Sequence, residues 1–379
     1  MSRLIQRSQR LFFHLATILV LTVVPCTTAG ALSVVDPGQT PVVISGAGNA
    51  EFSGITHIGG GQFLSVADSG GTLHPVTISI DPVTGFVSQA SAGTPVVLVG
   101  GVDLEGVAWR SATGTVFASD EVGPAIREFD PTTGALIRNI TLPPVYANQR
   151  PNLGLESLSL SADGSALWTA NEAALLVDGP EATFVDGTWV RLQRFDAAGI
   201  AAGQWAYQTE ATGSVTGVVD LVALATGELL VLERALTVGG FQSKLFLVDF
   251  AGATDTSVLP GLAGASFQGV GKTLLWSRTT VGLNFEGISL GPTLANGDTS
   301  LVLVSDGFGT QPPNAFALRL SVPEPRMLLL VLLGTAGLFG RSRAALATHL
   351  RKVYRESSVR SYSEATYEAL KPELASSGE

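Results

Sequence analysis

The sequence predicts an all-β chain: a β-propeller of five or six four-stranded blades, between an N-terminal signal peptide and a C-terminal transmembrane helix. Three observations predict it. One hairpin pattern recurs five times, no helical periodicity of useful length appears between residues 32 and 320, and Val, Leu, Thr, Phe and Gly dominate that stretch. The repeats are FSGITHIGGGQFLSVAD (52–68), LEGVAWRSATGTVFASDE (104–121), LESLSLSADGSALWTANE (155–172), VDLVALATGELLVLE (219–233) and FEGISLGPTLANGDTSLVLVSD (285–306). Each has an opening small polar or acidic residue, two apolar runs around a turn, and a closing acid.

Residues 1–31 read as a secretory signal. Arg3, Arg7 and Arg10 precede an apolar run at 11–24, and Ala29-Gly30-Ala31 supplies a small-residue cleavage site. The only cysteine, Cys26, falls in the part removed, so the mature chain has no disulfide. A chain of this length buries a core large enough to do without one.

Residues 32–321 form the predicted propeller. The stretch 31–45 is expected to supply an outer strand that closes the ring. The opening positions Ser53, Glu105, Glu156, Asp220 and Glu286 are spaced by 52, 51, 64 and 66 residues, which suits blades of four strands plus loops. The longer spacings leave room for a sixth, degenerate blade. A second strand pair follows each hairpin and is marked by an Asp and a turn, as in SIDPVTG (79–85) and EFDPTTG (128–134). Pro presets φ and Gly accepts positive φ in such turns.

Val322-Pro323-Glu324-Pro325 precedes an apolar run at 327–340 and then Arg341-Ser342-Arg343. This triplet over 322–343 resembles the PEP-CTERM sorting signal, which implies a transient membrane anchor, processing by an exosortase in a Gram-negative envelope, and display near extracellular polysaccharide. Such signals end soon after the basic cluster, whereas a charged tail continues here over 344–379. A plain membrane anchor is the alternative.

The body 32–321 holds 11 Lys and Arg against 26 Asp and Glu, a net charge of −15. That excludes nucleic acid as a partner and favours cations. With the first strand of each hairpin lining a central channel, the closing positions Asp68, Asp120 or Glu121, Glu172, Glu233 and Asp306 join the opening ones at one mouth. So many carboxylates raise one another's pKa and need a neutraliser. Calcium, with 6–8 oxygen ligands and flexible geometry, fits such a set, and Arg234 or Arg150 can contribute. The expected metal ligands are therefore Glu105, Glu121, Glu156, Glu172, Asp220, Glu233, Glu286 and Asp306. Any one of these acids could instead accept backbone hydrogen bonds between blades.

Other motifs carry less. Gly287-Ile288-Ser289-Leu290-Gly291 matches a nucleophile elbow in letters but lies inside a repeat strand, where a sharp strand-to-helix turn is required. Gly269-Val270-Gly271-Lys272-Thr273 lacks the first glycine and the helix of a phosphate loop. His57 alternates with Ile55 in a strand and His74 precedes Pro75, so neither joins a Ser/His/Asp set.

Taken together, the five hairpins resemble the bacterial phytase-like propellers named for an esterase-like activity of phytase, over about residues 52–320. The resemblance implies a calcium-dependent phosphoester hydrolase acting on a phosphorylated small molecule, with Arg234 steadying phosphate. The alternatives are a non-catalytic calcium-stabilised propeller of the extracellular matrix, or a lactonase-like hydrolase with Asn171 and Asn284 among its ligands.

Overall fold

The computed structural model describes residues 32–322. The segments expected from sequence to be a signal peptide (1–31), a sorting signal (322–343) and a charged tail (344–379) fall, but for Val322, outside the described residues. Among the described residues no helix is long and apolar enough to cross a membrane, and helix is confined to one 3₁₀ turn at Pro144–Asn148.

All else is strand and loop. After β1 (Ser33–Val35) and β2 (Val42–Ser45) come β3 (Phe52–Gly59), β4 (Gln62–Ala67), β5 (Thr72–Ile80), β6 (Val87–Ala92) and the short β7 (Val96–Val97). Three four-stranded sheets follow. The first is β8 (Leu104–Arg110), β9 (Thr115–Asp120), β10 (Ala125–Phe129) and β11 (Leu136–Ile140). The second is β12 (Ser159–Leu160), β13 (Ala166–Ala170), β14 (Trp189–Asp196) and β15 (Ala201–Gln208). The third is β16 (Ser214–Ala223), β17 (Leu229–Thr237), β18 (Gly240–Asp249) and β19 (Gly271–Thr280). Last come β20 (Asn284–Thr293), β21 (Thr299–Asp306) and β22 (Asn314–Ser321). The N-terminal strands complete this final unit. β1 pairs antiparallel with β22, and β2 pairs with β22 on one side and parallel to β6 on the other, joining the first and last units edge to edge.

The first strands of the five units touch in a closed circuit: β3 meets β8, β8 meets β12, β12 meets β16, β16 meets β20, and β20 returns to β3. This is a β-propeller. Its core lies between successive sheets. Leu64 and Val66 pack on Leu104 and Val107, Phe117 and Ile126 on Leu155 and Leu158, Trp168 and Leu192 on Val218 and Leu221, and Phe52 and Ile55 on Val302 and Val304. Each fully buried side chain of this size contributes about 1.5–3 kcal/mol of transfer free energy.

Inner strands face a channel and cannot pair with a further strand, so their free amides need other acceptors. Hydroxyls of the adjacent unit supply them. Thr56 Oγ1 accepts from Trp109 N at 3.1 Å, Ser289 Oγ from His57 N at 3.1 Å, and Ser159 Oγ from Ala223 N at 2.9 Å. Ser289 is thus an inter-strand acceptor, and the letters of the nucleophile elbow describe a strand. His57 Nε2 lies 2.8 Å from Gly60 O and His74 packs edge-on to Phe52, so both histidines are held by local structure.

The glycine after the opening residue has a steric cause. A Cβ on Gly287 would lie 2.7 Å from Ser53 O, and one on Gly106 would lie 2.8 Å from Ser119 Oγ and closer still to the backbone of Ser157 and Leu158. Inner strands approach too closely here for any side chain. Gly106→Ala is expected to push β8 from the third unit and destabilise the body by roughly 1–3 kcal/mol, read as a lowered midpoint in denaturant without a changed slope.

The two long spacings are taken up by loops 171–188 and 250–270. They are tied together by a buried pair in which Arg191 Nη2 and Nε donate to Asp178 at 2.6 and 2.7 Å, while Leu262 N donates to the same carboxylate at 2.8 Å.

Candidate metal centre

Each inner strand carries a one-residue slip at its start. Phe52 pairs with Ala67 but Ile55 with Ser65, and Leu104 pairs with Asp120 but Val107 with Ala118. In the last two units Val218 pairs with Glu233 but Asp220 with Leu232, and Phe285 with Ser305 but Gly287 with Val304. In the third unit Leu155 bridges Asn171 while Ser159 pairs with Trp168. Such a bulge turns the extra side chain out of the pleat. The residues after the first pair are Ser53, Glu105, Glu156, Val219 and Glu286. The equivalent closing residues are Asp68, Glu121, Glu172, Arg234 and Asp306.

These positions converge. Carboxylate oxygens of Asp103, Glu105 and Glu121 lie within 4.8 Å of one another. Burial pushes Glu105 well above the ordinary carboxylate range, reinforced by the charges of Glu286 and Glu121. Glu156 is raised in the same way by burial and then by Glu105 and Glu172. Asp68 is pushed up to about 8 by burial, Glu51 and Asp306. Glu286 rises to about 7, burial prevailing over the opposing pull of Arg234. Burial also raises Glu172, Glu121 and Asp306.

Arg234 is the counter-ion inside the ring. Its Nη2 lies 3.0 Å from Glu286 Oε1 and 3.1 Å from Glu172 Oε1, and its side chain is 11 % exposed. Both contacts are to carboxylates, so Arg234 does not present a free fork to a phosphate.

Two expected ligands stand elsewhere. Glu233 precedes the closing position and turns into its own unit, where it accepts from Tyr207 Oη at 2.6 Å, from Glu210 N at 3.0 Å and from Lys272 Nζ at 3.0 Å. Asp120 and Asn171 share that place, taking backbone amides of Val102 and Arg191. Asp220 lies one residue past the bulge and accepts from Ile288 N at 2.7 Å and Leu221 N at 2.8 Å, fastening β16 to β20. Val219 and Arg234 hold the ring positions of that unit.

Two participants, Glu51 and Asp103, went unnoticed in the sequence, and a third, Asn284, is expected there only for the lactonase-like alternative. Glu51, Asp103 and Asn284 each stand two residues before an opening position and opposite a closing one: Asp68 N donates to Glu51 O at 3.0 Å, Glu121 N to Asp103 O at 2.9 Å, and Asn284 pairs with Asp306. Counting two residues back from each opening residue finds them. Ser53 Oγ, Asp68 Oδ1 and Asn284 Oδ1 are buried without a hydrogen-bond partner.

The donor set is all oxygen: carboxylates, a hydroxyl and an amide carbonyl. Hard divalent cations of variable coordination, calcium above all, select such sets. The other end of the channel differs. Ile55, Val107, Leu158, Leu221 and Ile288, one per inner strand, lie two residues beyond the acids and begin the lining of a cavity of ≈ 530 Å³.

The family described as "Phytase-like: Esterase-like activity of phytase" matches residues 48–307. The chain belongs to this phytase-like family. No curated protein sequence matches it. Among solved structures, hydrazine synthase of Kuenenia stuttgartiensis aligns at TM-score 0.35 and 13% identity, over 69% of this chain and 57% of that one, so this chain spans under two thirds of that protein's length. A catalytically inactive virginiamycin B lyase from Staphylococcus aureus with quinupristin aligns at TM-score 0.36 and 11% identity, over 77% of this chain and 100% of that one. The WD40 β-propeller domain of Doa1 aligns at TM-score 0.34 and 8% identity, over 78% of this chain and 98% of that one.

Proposed function

We propose that this phytase-like propeller has five blades, is exported and displayed at the cell envelope, and hydrolyses a phosphate ester at its acidic mouth with bound calcium. The observation that carries this is the convergence of Asp103, Glu105 and Glu121 within 4.8 Å, beside the unpartnered oxygens of Asp68 and Asn284. Backbone capping accounts for Glu121, which accepts from Gly154 N, and not for Asp103 and Glu105 beside it. Asp103, Glu105 and Glu121 would hold one ion, and Asp68, Asp306 and Asn284 frame the other side of the mouth. Bound there, calcium would supply positive charge for phosphate oxygens and a water of lowered pKa.

The chain's own groups supply the proton inventory. Glu286, raised by burial to about 7, holds a proton in part of the population at neutral pH and is suited to donate it to a leaving alkoxide, and burial raises the neighbouring Glu156 in the same direction. Water adds to phosphorus as the ester P–O bond breaks, the alcohol leaves with that proton, and the proton shed by the water returns to the carboxylate left behind. Arg234 keeps Glu172 and Glu286 in place.

A second reading has support in the same mouth. Arg234 already neutralises two carboxylates, which suits a calcium-stabilised propeller without catalysis. Hydrolysis of p-nitrophenyl phosphate by wild type and Glu105→Gln separates the two. The catalytic proposal expects calcium-dependent turnover that Glu105→Gln reduces together with at least about tenfold weaker calcium binding, worth ~1.4 kcal/mol. Calcium-dependent melting with no turnover in either protein would leave the structural role alone.

A further inference from the structure

The acidic mouth has an apolar rim. Val102 and Val122 flank Asp103 and Glu121, Val215 lies beside Arg234, Val238 tips the hairpin between β17 and β18, and Phe308 follows Asp306. All five are exposed, from 45 % at Phe308 to 106 % at Val238. Water gives no return for such a ring of apolar side chains, and patches of this kind rimming a polar centre mark contact surfaces.

Two of these residues are held there against backbone preference. Val215 and Phe308 have φ of 52° and 51°, and Asn152, at φ 56°, is the one other non-glycine residue with positive φ among the described residues. It lies in the loop leading to Glu156. A left-handed conformation costs a residue with a Cβ, and a β-branched valine suits it least. Strain of this sort concentrates where function requires it. Both residues are tied to the ring: Phe308 N donates to Asp306 Oδ1 at 2.6 Å, and Arg234 Nη1 donates to Val215 O at 3.4 Å. Phe308 also stacks on Phe241 with centroids 5.3 Å apart, which fixes its face at the rim.

The charge around the mouth limits what enters. Arg234 is engaged by Glu172 and Glu286, and Arg127 lies 2.7 Å from Asp120. The body carries 11 basic against 26 acidic residues. Neither guanidinium is free for a ligand with many phosphates, which the acidic body repels. A single phosphate matches the metal site, where the unpartnered Oδ1 of Asn284, a residue only 2 % exposed, adds to the polar set. The remainder of the ligand then meets valine and phenylalanine.

We infer that the substrate of this mouth is a monoester carrying one phosphate on an apolar alkyl or aryl body, and that polyphosphorylated cyclitols are excluded. This rests on the calcium-dependent phosphate-ester activity proposed above. Each methylene buried at the rim adds about fourfold in affinity.

The test is calorimetric titration of the full chain, at clamped free calcium, with methylphosphonate, butylphosphonate, octylphosphonate and inositol hexakisphosphate. Affinity is expected to rise with chain length, by at least about tenfold from methyl to octyl. Phe308→Asn, and separately Val238→Asn at the fully exposed hairpin tip, should erase that gain and leave methylphosphonate binding unchanged. Inositol hexakisphosphate should bind no tighter than methylphosphonate. Affinity independent of chain length, an undiminished gain in both variants, or tightest binding of inositol hexakisphosphate overturns the inference. Calcium binding with no chain-length effect removes the apolar specificity alone; binding of neither calcium nor any phosphonate removes the activity proposed above with it.

Discussion

Calcium is expected to raise the melting temperature of the metal-free protein, and to raise it more at pH 8 than at pH 5. Glu286 in the fold gains its proton near pH 7, whereas in the unfolded chain it does so near 4.5. The folded state therefore keeps a proton that the unfolded state has lost. Its stabilising effect is complete below about pH 4.5 and falls away as pH rises to about 7. Asp68, raised to about 8, extends the decline. At ~1.4 kcal/mol per unit, Glu286 alone accounts for up to about 3 kcal/mol, on the order of 10 °C in melting temperature for a domain of this size. A cation takes the proton's place and binds best where protons have left. At a hundredfold excess over Kd it restores ~2.7 kcal/mol. Thermal melts across pH 5–8, with calcium and with chelator, measure both effects. A melting temperature that climbs with pH in chelator, or that ignores calcium at pH 8, contradicts the account.

Arg234→Met costs most at neutral pH and least in acid. Removing the guanidinium leaves Glu172 and Glu286 buried without their counter-ion, a loss of about 3–5 kcal/mol when one partner of a buried pair is deleted. At pH 5 Glu286 is protonated and the missing charge matters less. Calcium should also recover part of the loss at pH 7.5, because the variant's mouth is more negative. Melts of variant and wild type at both pH values decide this. An equal loss at pH 5 and 7.5 would show that Arg234 acts through packing of its stem and not through charge.

The repeat pattern carried the architecture because a hairpin that must bury one face repeats its apolar spacing, and turn residues mark its ends. Glu105, Glu121, Glu156, Glu172, Glu286 and Asp306 fall at equivalent positions of the repeat, beside the register slip of each unit. The pattern failed in the fourth unit. There the letters show an acid at Asp220 and another at Glu233, and both look like the ends of a hairpin. Pairing of Val218 with Glu233 moves each one residue off the ring and seats Val219 and Arg234 in their stead. The slip itself is common to all five units, and here the acids stand one residue away from it, at the places that Gly106 and Asp120 hold in the second unit. Glu51 and Asp103 escaped for another reason. They stand in loops ahead of the strands, where no periodicity applies, and only the backbone pairing of the closing residues brings them in.

The zip of β1 and β2 onto β22 has a consequence for chain order. Ser33 pairs with Ser321, so the propeller begins and finishes at one spot. A short linker from Val322 to Leu32 would permit new termini at any turn between sheets, and such circular permutants should still assemble. Conversely, a nascent propeller cannot complete its last unit until nearly every residue has emerged, since the first strand waits for the final one.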